Sequence, residues 1–487
     1  MEPRVMPSTI DYSRMLPLSI PAMASRRKYF PSNGSTFSRL GNSQIRIEIG
    51  HPSALLDPTH SYLELKVSNT GAQTFGADLG GANVFFQSIR VEQGGKVLSY
   101  TQSSNRLHSA VLSPVMTNCE GSATESITEG QRAYNGTAAN SILPRIVGQS
   151  GEQYGMAVHN SDTYQAAGAL LRFTMPITSG LFSQDKLIPL PLVDPNAPLT
   201  LVLEMGESSD VGVWNGAPGA GDIQVSECAY IAHMIEVGPD VVGQFKQVQA
   251  DMGGQLALSG QDFEYFSQSV PAGSSGQLAL ACPARKRSIK SFLWCAQSND
   301  LANTLGPLAS LALVYNLSFA GSMNIESFQF QVGPILYPAG EPVKCWGLTN
   351  GVGAVGHEFD RGQAAMELAK AVGTMSKTNP TGLLSNISYG CDGAGLASGE
   401  LGRGGATLVP ASNQKYCVCP FGISTDGFSR DVVESGIDTV TLAQDTNLLL
   451  NWAAADDSGA EDQIVHVWAL FDQHYYFNDD GSVTYSN

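Results

Sequence analysis

Apolar and polar residues alternate along much of this chain, and they do so in the same order twice. Gln44-Ile45-Arg46-Ile47-Glu48-Ile49 alternates strictly, the chain passes Pro52 and Pro58, and alternation resumes in Ser61-Tyr62-Leu63-Glu64-Leu65-Lys66-Val67. A period of two puts successive side chains on opposite faces, so each stretch predicts a half-buried strand. About 235 residues later, Gln277-Leu278-Ala279-Leu280-Ala281-Cys282 leads through Pro283 into Ser288-Ile289-Lys290-Ser291-Phe292-Leu293-Trp294-Cys295, the same sequence of events. The echo continues through Phe86–Glu92, a turn at Gly94-Gly95 and Val97–Tyr100, matched by Ile325–Val332, a turn at Gly333-Pro334 and Ile335–Tyr337. Each predicts a hairpin.

After both hairpins the period lengthens toward that of a helix, with Leu107, Val111 and Leu112 in the first copy and Met366, Leu368, Ala369 and Val372 in the second. Ser103, Ser104 or Asn105 offers a cap for the first helix and Gly373 a stop for the second. Each half crosses a long polar stretch and ends in two strands. These are Leu199–Met205 with Ala229–Ile235, and Thr446–Trp452 with Ile464–Phe471, where Leu448, Leu449 and Leu450 read as core. Asn478-Asp479-Asp480-Gly481, between aromatic and β-branched residues, predicts a final hairpin turn.

The chain of 487 residues is too long for one ordinary domain, and the repeat divides it into an arm over 1–40, a first body over 41–245 and a second over 246–487. Charged residues make up 15% while Gly and Pro number 52 and 25, which suits many strands and turns better than long solvated helices. Of 27 Lys and Arg and 44 Asp and Glu, six basic and two acidic residues fall in 1–40, leaving 21 against 42 elsewhere. The body therefore repels nucleic acid, and only the arm, with Arg26, Arg27 and Lys28, could attract an anion. That arm carries Pro3, Pro7, Pro17, Pro21 and Pro31 with little periodicity, so it is expected to be extended and ordered only by docking. Neither a secretory leader nor a membrane-length apolar run is visible, so a soluble cytosolic chain is expected, with its eight cysteines as free thiols.

Candidate chemistry is sparse. Cys417-Val418-Cys419 has a ligand-like spacing without a second pair, and strand alternation accounts for it equally well. His466 and His474 stand on an aromatic strand without a carboxylate pair nearby in sequence, and read as structural. Gly393–Gly399 lacks the Lys-Ser/Thr of a phosphate loop, and Asp456, Asp457, Glu461 and Asp462 fit a charged turn as well as a calcium site. No catalytic residue, metal site or cofactor is assigned.

This order of elements resembles the double jelly-roll major capsid proteins of icosahedral DNA viruses. The resemblance is carried by Ser61–Val67, Phe86–Tyr100 and Leu107–Leu112 in the first half, by Gln277–Trp294 and Ser327–Tyr337 in the second, and by Trp468–Phe477 leading into Asp480–Val483. It implies an all-β fold of two tandem eight-stranded jelly rolls, each with a short helix and long loops, behind an extended N-terminal arm. It also implies a structural protein of the virion, not an enzyme, made in soluble form in the host cell. Three chains would form a pseudo-hexameric capsomer that tiles the shell beside neighbouring capsomers, penton and minor capsid proteins. The loops about 116–168 and 374–411 would form towers or subunit contacts. Arg26, Arg27 and Lys28 would serve assembly by meeting adjacent acidic subunits, an inner membrane or the genome. Two competing readings remain. One is a carbohydrate-binding or adhesion protein using Trp214 and Trp346, and the other an enzyme whose two distant acids converge on a shared cleft.

Overall fold

The computed structural model describes residues 22–116, 170–345, 361–373 and 420–486, apart from short stretches inside these spans. In the N-terminal half one sheet runs in the order Ala22–Tyr29, Ile223–Val237, Ala54–Asn69, Leu170–Met175. The other runs Gln44–Ile49, Leu199–Met205, Phe86–Gln93, Lys96–Gln102. All these pairs are antiparallel. In the C-terminal half the corresponding orders are Gln255–Val270, Gln463–Asn478, Ile289–Ser298, Phe421–Ser424, and Gln277–Ala281, Thr446–Asn451, Ser327–Val332, Ile335–Tyr337. The halves match strand for strand, in chain order and in sheet position. Each is an eight-stranded jelly roll, and the chain is all-β with two of them in tandem.

Local chemistry explains the individual elements. In Gln44–Ile49 the isoleucines at 45, 47 and 49 are fully buried while Glu48 faces out. Gly94 and Gly95 have φ of 55° and 84°, the pair of left-handed residues that a tight hairpin turn requires. Pro58 does not end its strand as expected. Ala54–Asn69 runs through it, and the register against Ile223–Val237 shifts there, which places the proline at an irregularity that needs no ladder donor. The helix after the first hairpin spans Ser104–Met116 with a π-helical centre at Leu107–Leu112. Ser103 sits at its cap position in a left-handed conformation without a side-chain cap bond. The second is Arg361–Ala371, closed by Gly373 at φ 75°.

Three features depart from the expectations. Residues 22–29 of the arm are a strand: Ala22–Tyr29 pairs along its whole length with Ile223–Val237, and Thr36–Ser38 joins the same partner. From Ala22 onward, then, the arm docks on its own chain, and Phe37 is fully buried. The boundary placed between 245 and 246 falls within a helix, Pro239–Asp251, that opens on proline and carries Asp240 in its first turn. Leu449 is not core. Leu448 and Leu450 are fully buried, and the intervening side chain points to the other face of its strand. The loops read as towers or contacts, about 116–168 and 374–411, lie almost entirely outside the described residues.

The two cores exchange elements. The first is built from both N-terminal sheets but also contains Tyr475, Phe477 and Val483 from the end of the chain. The second is built from the C-terminal sheets but takes in Leu107, Ala110, Val111 and Val115 from the first half's helix. A further small sheet joins strands of both halves, in the order Ala302–Thr304, Leu313–Asn316, Val213–Asn215, Phe75–Gly76.

Candidate functional site

The seam between the rolls is where buried polar chemistry concentrates. Asp262, on the first strand of the second roll, is 2% exposed and accepts four hydrogen bonds. Ser99 Oγ (2.7 Å) and the Tyr100 amide (3.2 Å) donate to Oδ2, while Thr101 Oγ1 (3.0 Å) and the Phe263 amide (2.8 Å) donate to Oδ1. Alternation within Lys96–Gln102 sends Ser99 and Thr101 to the same face, so one carboxylate gathers donors from a whole edge of the first roll. Burial pushes the Asp262 carboxyl up from its ordinary range, against the downward pull of these donors. Close by, Gln473 Nε2 donates to the Leu98 carbonyl (2.9 Å), Gln93 Nε2 to the Gly481 carbonyl (2.8 Å) and Arg106 Nε to Gln297 Oε1 (3.1 Å). A Cβ at Gly260 would stand 2.7 Å from the Gly180 carbonyl oxygen, so glycine is what lets these two backbones approach.

Asp262 and Glu264 line a common cleft of about 230 Å³ with Lys286, Tyr265 and Phe471. This convergence of acids is what a cleft enzyme would require. Its chemistry points elsewhere: both Asp262 oxygens are occupied by fixed donors, and the volume is below the roughly 300 Å³ at which small-molecule sites begin. Lys286 is held 4.1 Å over the Phe471 ring and 3.9 Å from Glu264, whose carboxyl is raised by burial. The cleft is the wall of a joint between rolls. Sequence reading missed Asp262 because its donors lie about 160 residues away.

His466 is buried, with Nδ1 2.7 Å from the Tyr265 hydroxyl and its ring stacked with Tyr265 and Trp468. Burial holds it well below the ordinary imidazole range, in keeping with a structural role. His474 Nδ1 meets Ser259 Oγ at 3.2 Å. Cys228, Cys282, Cys295 and Cys345 are free and buried, and burial pushes the Cys282 thiol up to about 12. Among the described residues, no three His, Cys, Asp or Glu side chains converge as a metal site would require, and no helix is long and apolar enough to cross a membrane. Cys417-Val418-Cys419, Gly393–Gly399, Trp346, Asp456, Asp457 and Glu461 lie outside the described residues, as does the side chain of Trp214.

Arg26, Arg27 and Lys28 stand on the exposed strand Ala22–Tyr29, at one end of its sheet. The acids they meet belong to their own roll. Arg27 pairs with Glu236 (3.3 Å) and Lys28 with Glu64 (3.0 Å), while Arg26 lies 5.7 Å from the Tyr62 ring centre. The ladder continues from Glu64 to Arg172 (3.3 Å), to Glu227 (2.5 Å) and to Lys66 (2.8 Å). Lysine and arginine along an open strand edge also discourage edge-to-edge pairing.

Two similar rolls joined by a buried polar seam define the double jelly-roll architecture. Comparison of folds agrees along the whole chain. The protein resembles the PBCV-1 virus capsid structure, with 11% identity, 98% of this chain and 99% of that one covered, and a TM-score of 0.53. It likewise resembles a chain of the Sputnik virophage, with 10% identity, 99% and 92% coverage, and a TM-score of 0.55. No family model and no curated protein matches the sequence.

Proposed function

We propose that this chain is a major capsid protein. Three copies associate into a capsomer of pseudo-hexagonal outline, and capsomers tile the facets of an icosahedral shell. The observation that carries this reading is the strand-for-strand equivalence of two rolls held by a buried seam: a rigid chain with two similar bodies, taken three times, approximates six-fold symmetry. The likeness to the PBCV-1 capsid over both full lengths supports it. Its partners are other copies of itself, neighbouring capsomers and penton and minor capsid proteins. The protein works by geometry and carries out no reaction on a substrate. Arg27 and Lys28 side chains stay 47% exposed despite their ion pairs, so with Arg26 they can contribute to assembly against acids of an adjacent subunit, or against an inner membrane or genome. Size-exclusion chromatography with light scattering, followed by negative-stain imaging, tests the proposal. A homotrimer that assembles into facets or shells is expected, and a monomer that forms nothing larger across salt and pH refutes it.

A further inference from the structure

The second roll buries an amine among two carboxyl groups. Lys290 lies on Ile289–Ser298 with its side chain 0% exposed. Its Nζ is 3.4 Å from Asp472 Oδ2, on the adjacent strand Gln463–Asn478, and 3.6 Å from Asp426 Oδ2, just past Phe421–Ser424. The two acids are themselves 4% and 5% exposed. The hydroxyls around them divide their roles. Ser435 Oγ accepts a hydrogen bond from Lys290 Nζ and donates one to Asp426 Oδ1, so it bridges the amine to one acid. Ser288 Oγ donates to Asp472 Oδ2 at 2.7 Å, polarising the other. The surroundings are closed, since a Cβ at Gly436 would overlap the Ile289 backbone and Thr425 Oγ1 donates to the Ile289 carbonyl at 2.6 Å.

From this arrangement we infer that Lys290 and Asp472 form an isopeptide bond, an amide between Nζ and the Asp472 Cγ that staples two neighbouring strands. The amine stands 3.4 Å from an oxygen of the carboxyl group it would attack, in a site the fold has already dried. The ammonium passes a proton through Ser435 Oγ to Asp426, and the freed amine attacks Cγ of Asp472. Ser288 steadies the negative charge that develops on the carboxyl oxygen under attack. Collapse of the adduct expels the other oxygen as water, carrying two of the three ammonium hydrogens, while the third stays on the amide nitrogen. Asp426 returns to its starting charge, and nothing is oxidised or reduced. An ion pair at the same place would leave the covalent structure unchanged.

The intact mass of the purified full-length protein tests this. A mass one water below that of the sequence is expected, with a protease digest yielding a branched peptide joining Lys290 to Asp472. A mass equal to the sequence, or a branch to Asp426, overturns the assignment. Asp472→Asn should form the same branch with loss of ammonia in place of water, whereas folded Asp426→Asn should keep its sequence mass. A folded Asp426→Asn protein that links as completely as the parent removes Asp426 from the role given to it. The wild-type mass decides the proposal even if a variant fails to fold.

Discussion

Replacing Asp262 by asparagine probes the joint between the rolls with little change of shape. The carboxylate accepts two hydrogen bonds at each oxygen, and an amide keeps only one accepting oxygen. Whichever way the amide faces, its NH2 meets one hydroxyl, which can turn to accept from it, and one backbone amide, which loses its acceptor. That loss costs about 1–3 kcal/mol. Relief from burying a charge, the burial that raises the carboxyl, trims this loss, while the remaining bonds weaken as their acceptor becomes neutral. For 487 residues melting as one unit the unfolding entropy is about 1 kcal/mol/K, so a loss of about 2 kcal/mol lowers the midpoint by about 2 °C. Differential scanning calorimetry at neutral pH reads it directly. Should the rolls melt separately in the variant, two transitions appear, with the larger shift in the roll that has lost its brace. An unchanged or raised midpoint in Asp262→Asn would refute the view that this carboxylate holds the rolls together.

Leu448→Asp should abolish soluble expression, since a fully buried side chain would be exchanged for an unpaired carboxylate, whereas Leu449→Asp should fold with a modest loss; equal outcomes in an expression and melting assay contradict the strand's facing. Deleting residues 2–21 should leave the melting temperature within a few degrees, while deleting 2–40 removes Ala22–Tyr29 and the buried Phe37 and should lower it clearly. Acid should weaken the fold through His108, which is buried beside Thr178 Oγ1 (2.7 Å) and lowered to about 4. Between the ordinary 6.5 and that value the unfolded chain binds the extra proton, so stability falls with pH by about 3 kcal/mol in total and levels off below it. Asp262, raised by burial, acts in the opposite sense, adding stability as pH falls through its folded-state pKa. Urea titrations at several pH values should show the net loss, and His108→Gln should shrink it.

Where a strand has one buried face, its alternation was readable directly. Gln44–Ile49, the hairpins, Leu199–Met205 and the long aromatic strand all carry that signature, and their repeated order implied two like rolls. Ala22–Tyr29 was not readable because most of its side chains are exposed, so no apolar face marks it; what orders it is the backbone ladder. Signals for two other elements were present but unused. Leu256 and Leu258 alternate with polar or small residues within Gln255–Val270, and Pro239-Asp240 ahead of Val241, Phe245 and Val248 announces the linking helix. The triplet Leu448–Leu450 shows the limit of hydropathy, which marks a residue as apolar without saying which face it takes. The seam lay beyond reach for a different reason: a serine and a threonine on one hairpin become a site only when a carboxylate arrives from the other roll.

The exchange between cores has a consequence for synthesis. Tyr475, Phe477 and Val483 complete the first core, yet the ribosome adds them only after nearly all of the second roll. The N-terminal roll therefore cannot finish packing when its own strands have been made, and it waits on the exit tunnel to release residues 475–483. Placing the closing piece behind the second roll thus ties completion of the first roll to synthesis of the second.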